Sequence, residues 1–317
     1  MGLATFSVII PAYNAEKSIE RSISSVLEQS YESFEIIVVN DGSTDNTEEI
    51  IKSLNNDRIK IISQKNQGVS VARNVGIKNS NNTYICFLDA DDAWLPNHLE
   101  VLSNLIEKYK NESFFVTGYK MLFLDGREKT INASINEDDY LEKNLFSAYQ
   151  RYGYFFNTNC VCVKKETIIQ TGGFAVGVKN EEDYDMWCRL GLKNNIVISR
   201  CITNLRYRDY SMATKTRLLL NDWVFESRIP DILEDETIPI ERIAGVKRII
   251  ASRQLTKVRH LLLMGNKRQA IRVFRCVKPG SVSSRRWLVT LTCIPVPSVL
   301  LKKIVLIQER GLYRQGE

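Results

Sequence analysis

The stretch YICFLDADDAW, residues 84–94, runs five apolar residues, Tyr84 to Leu88, straight into three carboxylates, Asp89, Asp91 and Asp92. A short unbroken apolar run bounded by polar residues is the pattern of a strand buried on both faces, as in a parallel sheet. Carboxylates crowded at its end repel one another and call for a positive partner. Two earlier stretches repeat the design: Phe6 to Ile10 leads into Pro11-Ala12-Tyr13-Asn14, and Phe34 to Val39 into Asn40-Asp41-Gly42-Ser43. Between them the spacing of Ile19, Ile23, Val26 and Leu27 predicts a helix capped by Asn14. Further helices are expected over Glu48–Leu54 and Val69–Lys78, around a strand at Lys60–Ile62. Another is expected to start at Trp94-Leu95-Pro96, with Asp92 as its cap and His98 on its surface. Alternation of this kind predicts a doubly wound, mostly parallel α/β sheet whose three polar strand ends converge on one edge, where such sheets bind ligands.

The pattern changes after residue 111. Strand-like segments at Phe114–Leu124, Cys160–Val163 and Ile196–Ile198 frame Gly172-Gly173-Phe174 and the acidic helix start NEEDYDMWCRL (180–190). Beyond Lys215 the reading is helical, with a helix pair over 243–277 turning at Gly265-Asn266 and burying Ile249, Ile250, Leu255, Val258, Leu261 and Leu262. The expected organisation is one domain over 1–214, split at about residue 110, and a helical region over 215–317. Charge divides the same way. Residues 242–317 carry 17 Lys and Arg against 2 acids, a net of +15, which leaves the first 241 residues at −9 within a chain of net +6. A segment so basic needs a negative partner. The apolar stretch WLVTLTCIPVPSVLLKKIVLI (287–307) is long enough for a membrane span, but two prolines and Lys302-Lys303 interrupt it. Flanked by Arg285 and Arg286, it fits an interfacial position on an anionic leaflet better. The start MGLATFSVIIPAYN lacks a basic leader and reads as a strand. Seven scattered cysteines, with no CxxC pair, read as reduced and mostly buried thiols of a cytosolic protein. Cys160 and Cys162 are expected to point to one face of a strand.

Oxygen ligands clustered at a strand end suit Mg²⁺ or Mn²⁺, which is commonly held by one or two carboxylates together with substrate phosphates. The Asp89-x-Asp91 spacing puts both side chains on one side of an extended segment. Neither a dinucleotide-binding Gly-x-Gly-x-x-Gly nor a P-loop occurs, which disfavours nicotinamide oxidoreductases and P-loop NTPases. Tyr13 can stack on a base, and Asp41 can accept from a pyrimidine imide or a ribose. With two histidines in unpromising positions, a general base would be a carboxylate, and Glu181, Glu182, Asp183 and Asp185 are the candidates. A helix whose first turn is acidic to suit its dipole accounts equally well for Glu181 and Glu182.

The ordered motifs SVIIPAYNAEKSIERSISSVLEQSY, FEIIVVNDGSTDNT, QGVSVARNVGI, YICFLDADDAWLP, GGF and EEDYDMWCRL resemble the family 2 glycosyltransferases, over about residues 5–210. That resemblance implies a GT-A fold, in which a nucleotide-binding sheet merges with an acceptor-binding half. It implies inverting transfer of a sugar from a nucleotide-diphosphate donor (a UDP-sugar by expectation), with Mg²⁺ or Mn²⁺. Carried over by position, it assigns Pro11, Tyr13 and Asp41 to the nucleoside pocket and Arg73 to that side of the donor site. Asp89 and Asp91 match the metal and ribose-diphosphate motif, and Asp183 matches the catalytic base, with Glu182 beside it. Asn40 departs from the family, where many members have aspartate. The expected acceptor is a lipid-linked or surface glycan, at the cytosolic face of the membrane. Transfer to polyprenyl phosphate is an alternative. Nucleic-acid binding by the basic region is disfavoured, because Phe274, Trp287 and Tyr313 interleave poorly with its charges.

Overall fold

Three of the apolar runs become neighbouring parallel strands. In the computed structural model, which describes residues 4–131, 139–178, 181–208, 224–278, 280, 284–298 and 300–301, β1 (Phe6–Ala12) pairs with β2 (Phe34–Asn40), which pairs with β3 (Ile59–Ser63). On its other side β1 pairs with β4 (Tyr84–Phe87). The helices between them are α1 (Ile19–Leu27), α2 (Thr47–Ser53) and α3 (Val69–Asn79). The two-residue period of a strand divides β1 between two layers. Phe6, Val8 and Ile10 join Ile19, Ile23 and Val26 of α1 in one core, while Ile9 lies beneath α3. Gly76 sets that approach, since a Cβ there would stand 2.4 Å from Ile9 Cγ2.

The parallel order holds only over this half. The sheet continues β4-β9-β6-β10-β5, with β9 (Val161–Lys164) antiparallel to both β4 and β6 (Phe114–Phe123). β10 (Ile196–Arg208) runs parallel to β6 and carries β5 (Ala93–Trp94) antiparallel on its far side. β7 (Glu128–Ile131) and β8 (Tyr140–Glu142) pair with β6 and β10. The expected α/β sheet is therefore parallel under the first three polar strand ends and mixed beyond them.

Four local expectations are overturned. Trp94 lies in β5, and the next helix, α4 (His98–Lys108), begins after Pro96 with Asn97 at its N-cap. Asp92 caps nothing: it is fully buried and accepts from Tyr207 N at 2.9 Å and from Asn159 Nδ2 at 2.6 Å. His98 is buried rather than on the surface, stacked on Trp94 at 4.0 Å with its Nδ1 2.7 Å from Thr203 Oγ1. Asn14 sits at φ +49, outside α1, and holds the next loop by accepting from Thr44 N. The cysteines form no disulfide; Cys86, Cys160, Cys162 and Cys188 are buried, whereas Cys201 and Cys276 are exposed. Cys160 ends a short 3₁₀ turn, Thr158–Cys160, ahead of the strand that holds Cys162.

The chain divides into two compact units, Met1–Tyr210 with Ser227–Arg242, and Ser211–Glu226 with Ile243–Glu317. In the first, α5 (Leu145–Tyr152), α6 (Lys165–Thr171), α7 (Glu182–Lys193) and α8 (Ile229–Glu234) complete the helices used below. In the second, the expected helix pair turns at Gly265, where φ is +82, between α9 (Ile240–Leu263) and α10 (Lys267–Cys276). Leu255, Val258, Leu261 and Leu262 pack there with Ala270 and Phe274, and Ile249 and Ile250 are buried as well. α11 (Ser284–Cys293) sets Trp287 5.0 Å from Phe274 and leaves Leu288, Val289 and Leu291 exposed. Among the described residues no helix is long and apolar enough to cross a membrane. Val299 and residues 302–307 of the apolar stretch, with Lys302 and Lys303, lie outside the described residues.

Candidate active site

The three polar strand ends meet because β1, β2 and β4 are neighbours in register. Pro11 is the second-last residue of β1 and Tyr13 lies just beyond the strand, half exposed, so its ring can stack. Asp41 is buried and its carboxylate organises the loop before α3. It accepts from Gln64 Nε2 at 2.7 Å, Gln67 N at 2.9 Å and Gly68 N at 2.8 Å, which leaves one acceptor direction at most for a nucleoside. Asn40, beside Asp41, is neutral and donates to Glu48 at 2.7 Å.

Arg73 is the centre of the arrangement. It is 4% exposed, and its two terminal nitrogens each stand 2.9 Å from a carboxylate, Nη2 from Asp89 Oδ1 and Nη1 from Glu182 Oε1. One guanidinium thus ties the end of β4 to the first turn of α7, the geometry a planar fork suits. Burial alone would raise Asp89, but Arg73 overcomes it and holds the carboxyl below its usual range. Glu182 is raised, by burial and then by Asp183, with Arg73 opposing. Asn74, the next residue, clamps the Gly172-Gly173-Phe174 turn: it accepts from Phe174 N at 2.9 Å and donates to Phe174 O at 2.8 Å. Trp187, one turn after Asp183, packs on Phe87 at 5.8 Å and Phe174 at 5.5 Å, so α7 lies against the end of β4, two residues before Asp89.

Asp183 accepts from Thr158 Oγ1 at 3.2 Å and from its neighbour Tyr184 N at 2.7 Å. Asp185 is removed from the candidate bases. It is fully buried, and both its oxygens are bonded at 2.8 Å by Arg189 and by Arg228, just before α8.

Asp89, Asp91 and Asp92 bring one carboxylate oxygen each within 4.8 Å of the others. Their hard oxygen donors fit a divalent cation such as Mg²⁺ or Mn²⁺. Asp92 is the least available of the three, because Tyr207 N and Asn159 Nδ2 take one oxygen each. Burial, then the charges of Asp91 and Asp89, push its pKa up to about 7. Asp91 is the most open, and Asp89 keeps an oxygen that Arg73 does not touch. Reading the sequence missed two cations here. Arg208 reaches Asp91 at 3.3 Å and Arg206 stands 4.0 Å from Asp92, both from the end of β10. Arg206 keeps its Nε without a hydrogen bond among the described residues; burial works to lower its pKa, but Asp92 and Asp89 outweigh it and leave the pKa raised. The signal available was Arg206-x-Arg208, two bases at strand spacing; nothing in it says which strand end they face.

Residues 7–165 match the family described as glycosyl transferase family 2. Over 208 residues the chain is 34% identical to an uncharacterized glycosyltransferase of Rickettsia bellii, covering 65% of this chain but 29% of that protein. It is 33% identical to the Escherichia coli protein named UDP-Glc:alpha-D-GlcNAc-diphosphoundecaprenol beta-1,3-glucosyltransferase WfgD, over 62% of this chain and 73% of that one. The putative teichuronic acid biosynthesis glycosyltransferase TuaG of Bacillus subtilis is 31% identical over 66% of this chain and 81% of its own. Among solved structures, S. aureus TarS 1–349 in complex with UDP-GlcNAc shares the fold at a TM-score of 0.56 and 22% identity, over 81% of this chain and 70% of that one.

Proposed function

Because the chain belongs to glycosyl transferase family 2, we propose that it is an inverting glycosyltransferase using a nucleotide-diphosphate sugar, a UDP-sugar by preference, to glycosylate a hydroxyl of a lipid-linked or surface glycan. The observation that carries this reading is Arg73, which brings the Asp89 strand end and the Glu182-Asp183 helix start into one site. The UDP-glucose and lipid-diphosphate in the name of the E. coli relative support the donor and acceptor classes. Pro11, Tyr13 and Asp41 form the nucleoside side, with Tyr13 as the stacking ring. Asp89 and Asp91 would hold the Mg²⁺ or Mn²⁺, which would supply positive charge against that developing on the departing diphosphate. Asp183 takes the proton of the acceptor hydroxyl as that oxygen attacks the anomeric carbon. The hydrogen bond from Thr158 fixes the carboxylate's orientation, and Glu182 serves with Arg73 as a positioning pair. Residues 1–110 act as the donor half and 111–214 as the acceptor half. The region 215–317, whose last 76 residues carry a net +15, docks on an anionic membrane surface at its cytosolic face.

Two substitutions separate the roles. Asp91→Asn and Asp183→Asn should each lower transfer from UDP-glucose to a synthetic N-acetylglucosamine-diphospho-lipid by about 10²–10⁴-fold. Only Asp91→Asn should weaken Mn²⁺-dependent UDP binding in calorimetry. Tight Mn²⁺-dependent UDP binding by Asp91→Asn removes the metal assignment, and full turnover by Asp183→Asn removes the base.

A further inference from the structure

Residues 153–158 form a short aromatic segment that no motif of the donor site uses. The chain leaves α5 at Gly153, whose φ of +71 and ψ of −140 suit glycine. Phe155 and Phe156 then turn inward, each 1% exposed, and Thr158 closes the segment with its hydrogen bond to Asp183. Tyr154 goes the other way. Its ring stacks on Tyr184, with centroids 4.9 Å apart and planes 22° from parallel, and Tyr149 completes the cluster 5.1 Å from Tyr184 and 5.9 Å from Tyr154. Tyr149 and Tyr184 are buried at 7% and 6%, but half of Tyr154 is open to solvent.

A single exposed aromatic needs no explanation by itself. The place of this one does. Tyr184 follows Asp183 directly in the chain, and Thr158, four residues after Tyr154, is bonded to the Asp183 carboxylate. The open ring is therefore pinned from both sides to the group that would deprotonate the acceptor. Tyr154 thus has its ring held by the stack on Tyr184 while half of the residue stays open to solvent, a rigid aromatic surface at the edge of the cluster.

We propose that Tyr154, backed by Tyr184, is the stacking platform for the acceptor sugar, taking the apolar C–H face of a pyranose ring whose hydroxyl is presented to Asp183. A pyranose with equatorial hydroxyls has such a face, and covering it removes apolar surface of both partners from water. The ring, not the phenol hydroxyl, does the recognising. This assignment rests on the reading of Asp183 as the base.

The test uses the full chain and methyl β-D-glucopyranoside as probe, followed by saturation-transfer NMR. The wild-type protein and Tyr154→Phe should saturate the ring C–H protons of the probe, and Tyr154→Ala should not. In sugar transfer, Tyr154→Ala should raise the acceptor KM about tenfold, the scale of one lost aromatic contact, and leave the KM for UDP-glucose unchanged. Equal saturation transfer in Tyr154→Ala, its loss in Tyr154→Phe, or its absence from the wild type would each overturn the platform. Asp183→Asn keeps the two ideas apart: it should retain saturation transfer while losing turnover. Retained turnover there sinks the base and leaves the platform standing.

Discussion

Replacing Arg73 with methionine removes the guanidinium between Asp89 and Glu182 and keeps only an apolar stem of the side chain. Arg73 is 4% exposed, and its partners' side chains are 27% and 14% exposed, so all three sit largely out of bulk water. Breaking a buried ion pair from one side costs about 3–5 kcal/mol, because the surviving charge stays desolvated and unpaired. The partial exposure of Asp89 favours the lower end, so about 3 kcal/mol is expected. For a unit of this size that corresponds to a fall in Tm of roughly 6–12 °C. The loss should depend on pH, and its sign can be derived. Without Arg73, burial and mutual repulsion raise the pKa values of Asp89 and Glu182 above their unfolded values near 4. The folded variant then holds protons that the unfolded chain releases, so its stability falls as pH rises above that range. Its deficit against the wild type should be largest at pH 8 and shrink toward pH 5. Adding Glu182→Gln should recover about 1–2 kcal/mol, since one of the two orphaned charges is gone. Urea unfolding in EDTA, which keeps a divalent ion from replacing the guanidinium, measures all three quantities. A deficit below about 1 kcal/mol at pH 8, or an equal deficit at pH 5 and pH 8, would refute the bridging role.

His98 gives a second pH signature. Burial pushes its pKa down to about 3, so its contribution is complete above the unfolded value near 6.5 and is lost as pH falls below it. About 1.4 kcal/mol per pH unit, or about 2 kcal/mol between pH 6.5 and 5, should disappear from a urea-monitored stability profile and be absent from that of His98→Gln; parallel slopes would remove His98 as the source. For the basic region, the full chain should float with vesicles containing phosphatidylglycerol at 0.1 M salt and stay in the pellet fraction with pure phosphatidylcholine. Failure to float on the anionic vesicles ends the membrane reading.

The parallel half of the fold was legible because its causes are local. Unbroken apolar runs at Phe6, Phe34 and Tyr84 can be buried only between helices, and the helical spacing between them fixes the alternation. The helix pair of the basic region was legible for the same reason. What failed depended on partners far away in sequence. Trp94 looked like a helix start beside Pro96, but Ala93 and Trp94 find their partners in Leu205 and Asn204, over a hundred residues on. Once β5 pairs with β10, Asp92 faces the interior, where Asn159 and Tyr207 satisfy it, and the helix can begin only after Pro96. His98 followed the same error, since the turn of α4 that begins there packs on Thr203 rather than on water. The motifs named the residues of the candidate site, while the contacts between them, such as Asn74 on the Phe174 turn, join segments a hundred residues apart and leave no local pattern.

The acidic cluster itself turns on a balance of charge. Asp89, Asp91 and Asp92, with Glu182 and Asp183, place five carboxyl groups around one site, and among the described residues the guanidiniums of Arg73, Arg206 and Arg208 face those carboxylates. Each arginine comes from a different distance in sequence, which is why the cluster read as unpaired. The balance still falls short of neutrality, and Asp92, raised to about 7 by burial first and by Asp91 and Asp89 next, holds part of its proton rather than add another full charge. A nucleotide diphosphate is itself an anion and would meet residual negative charge at Asp91, the most exposed of the five. On the proposed reading, a divalent cation bound between Asp89 and Asp91 would offset that remainder and the charge of the donor together.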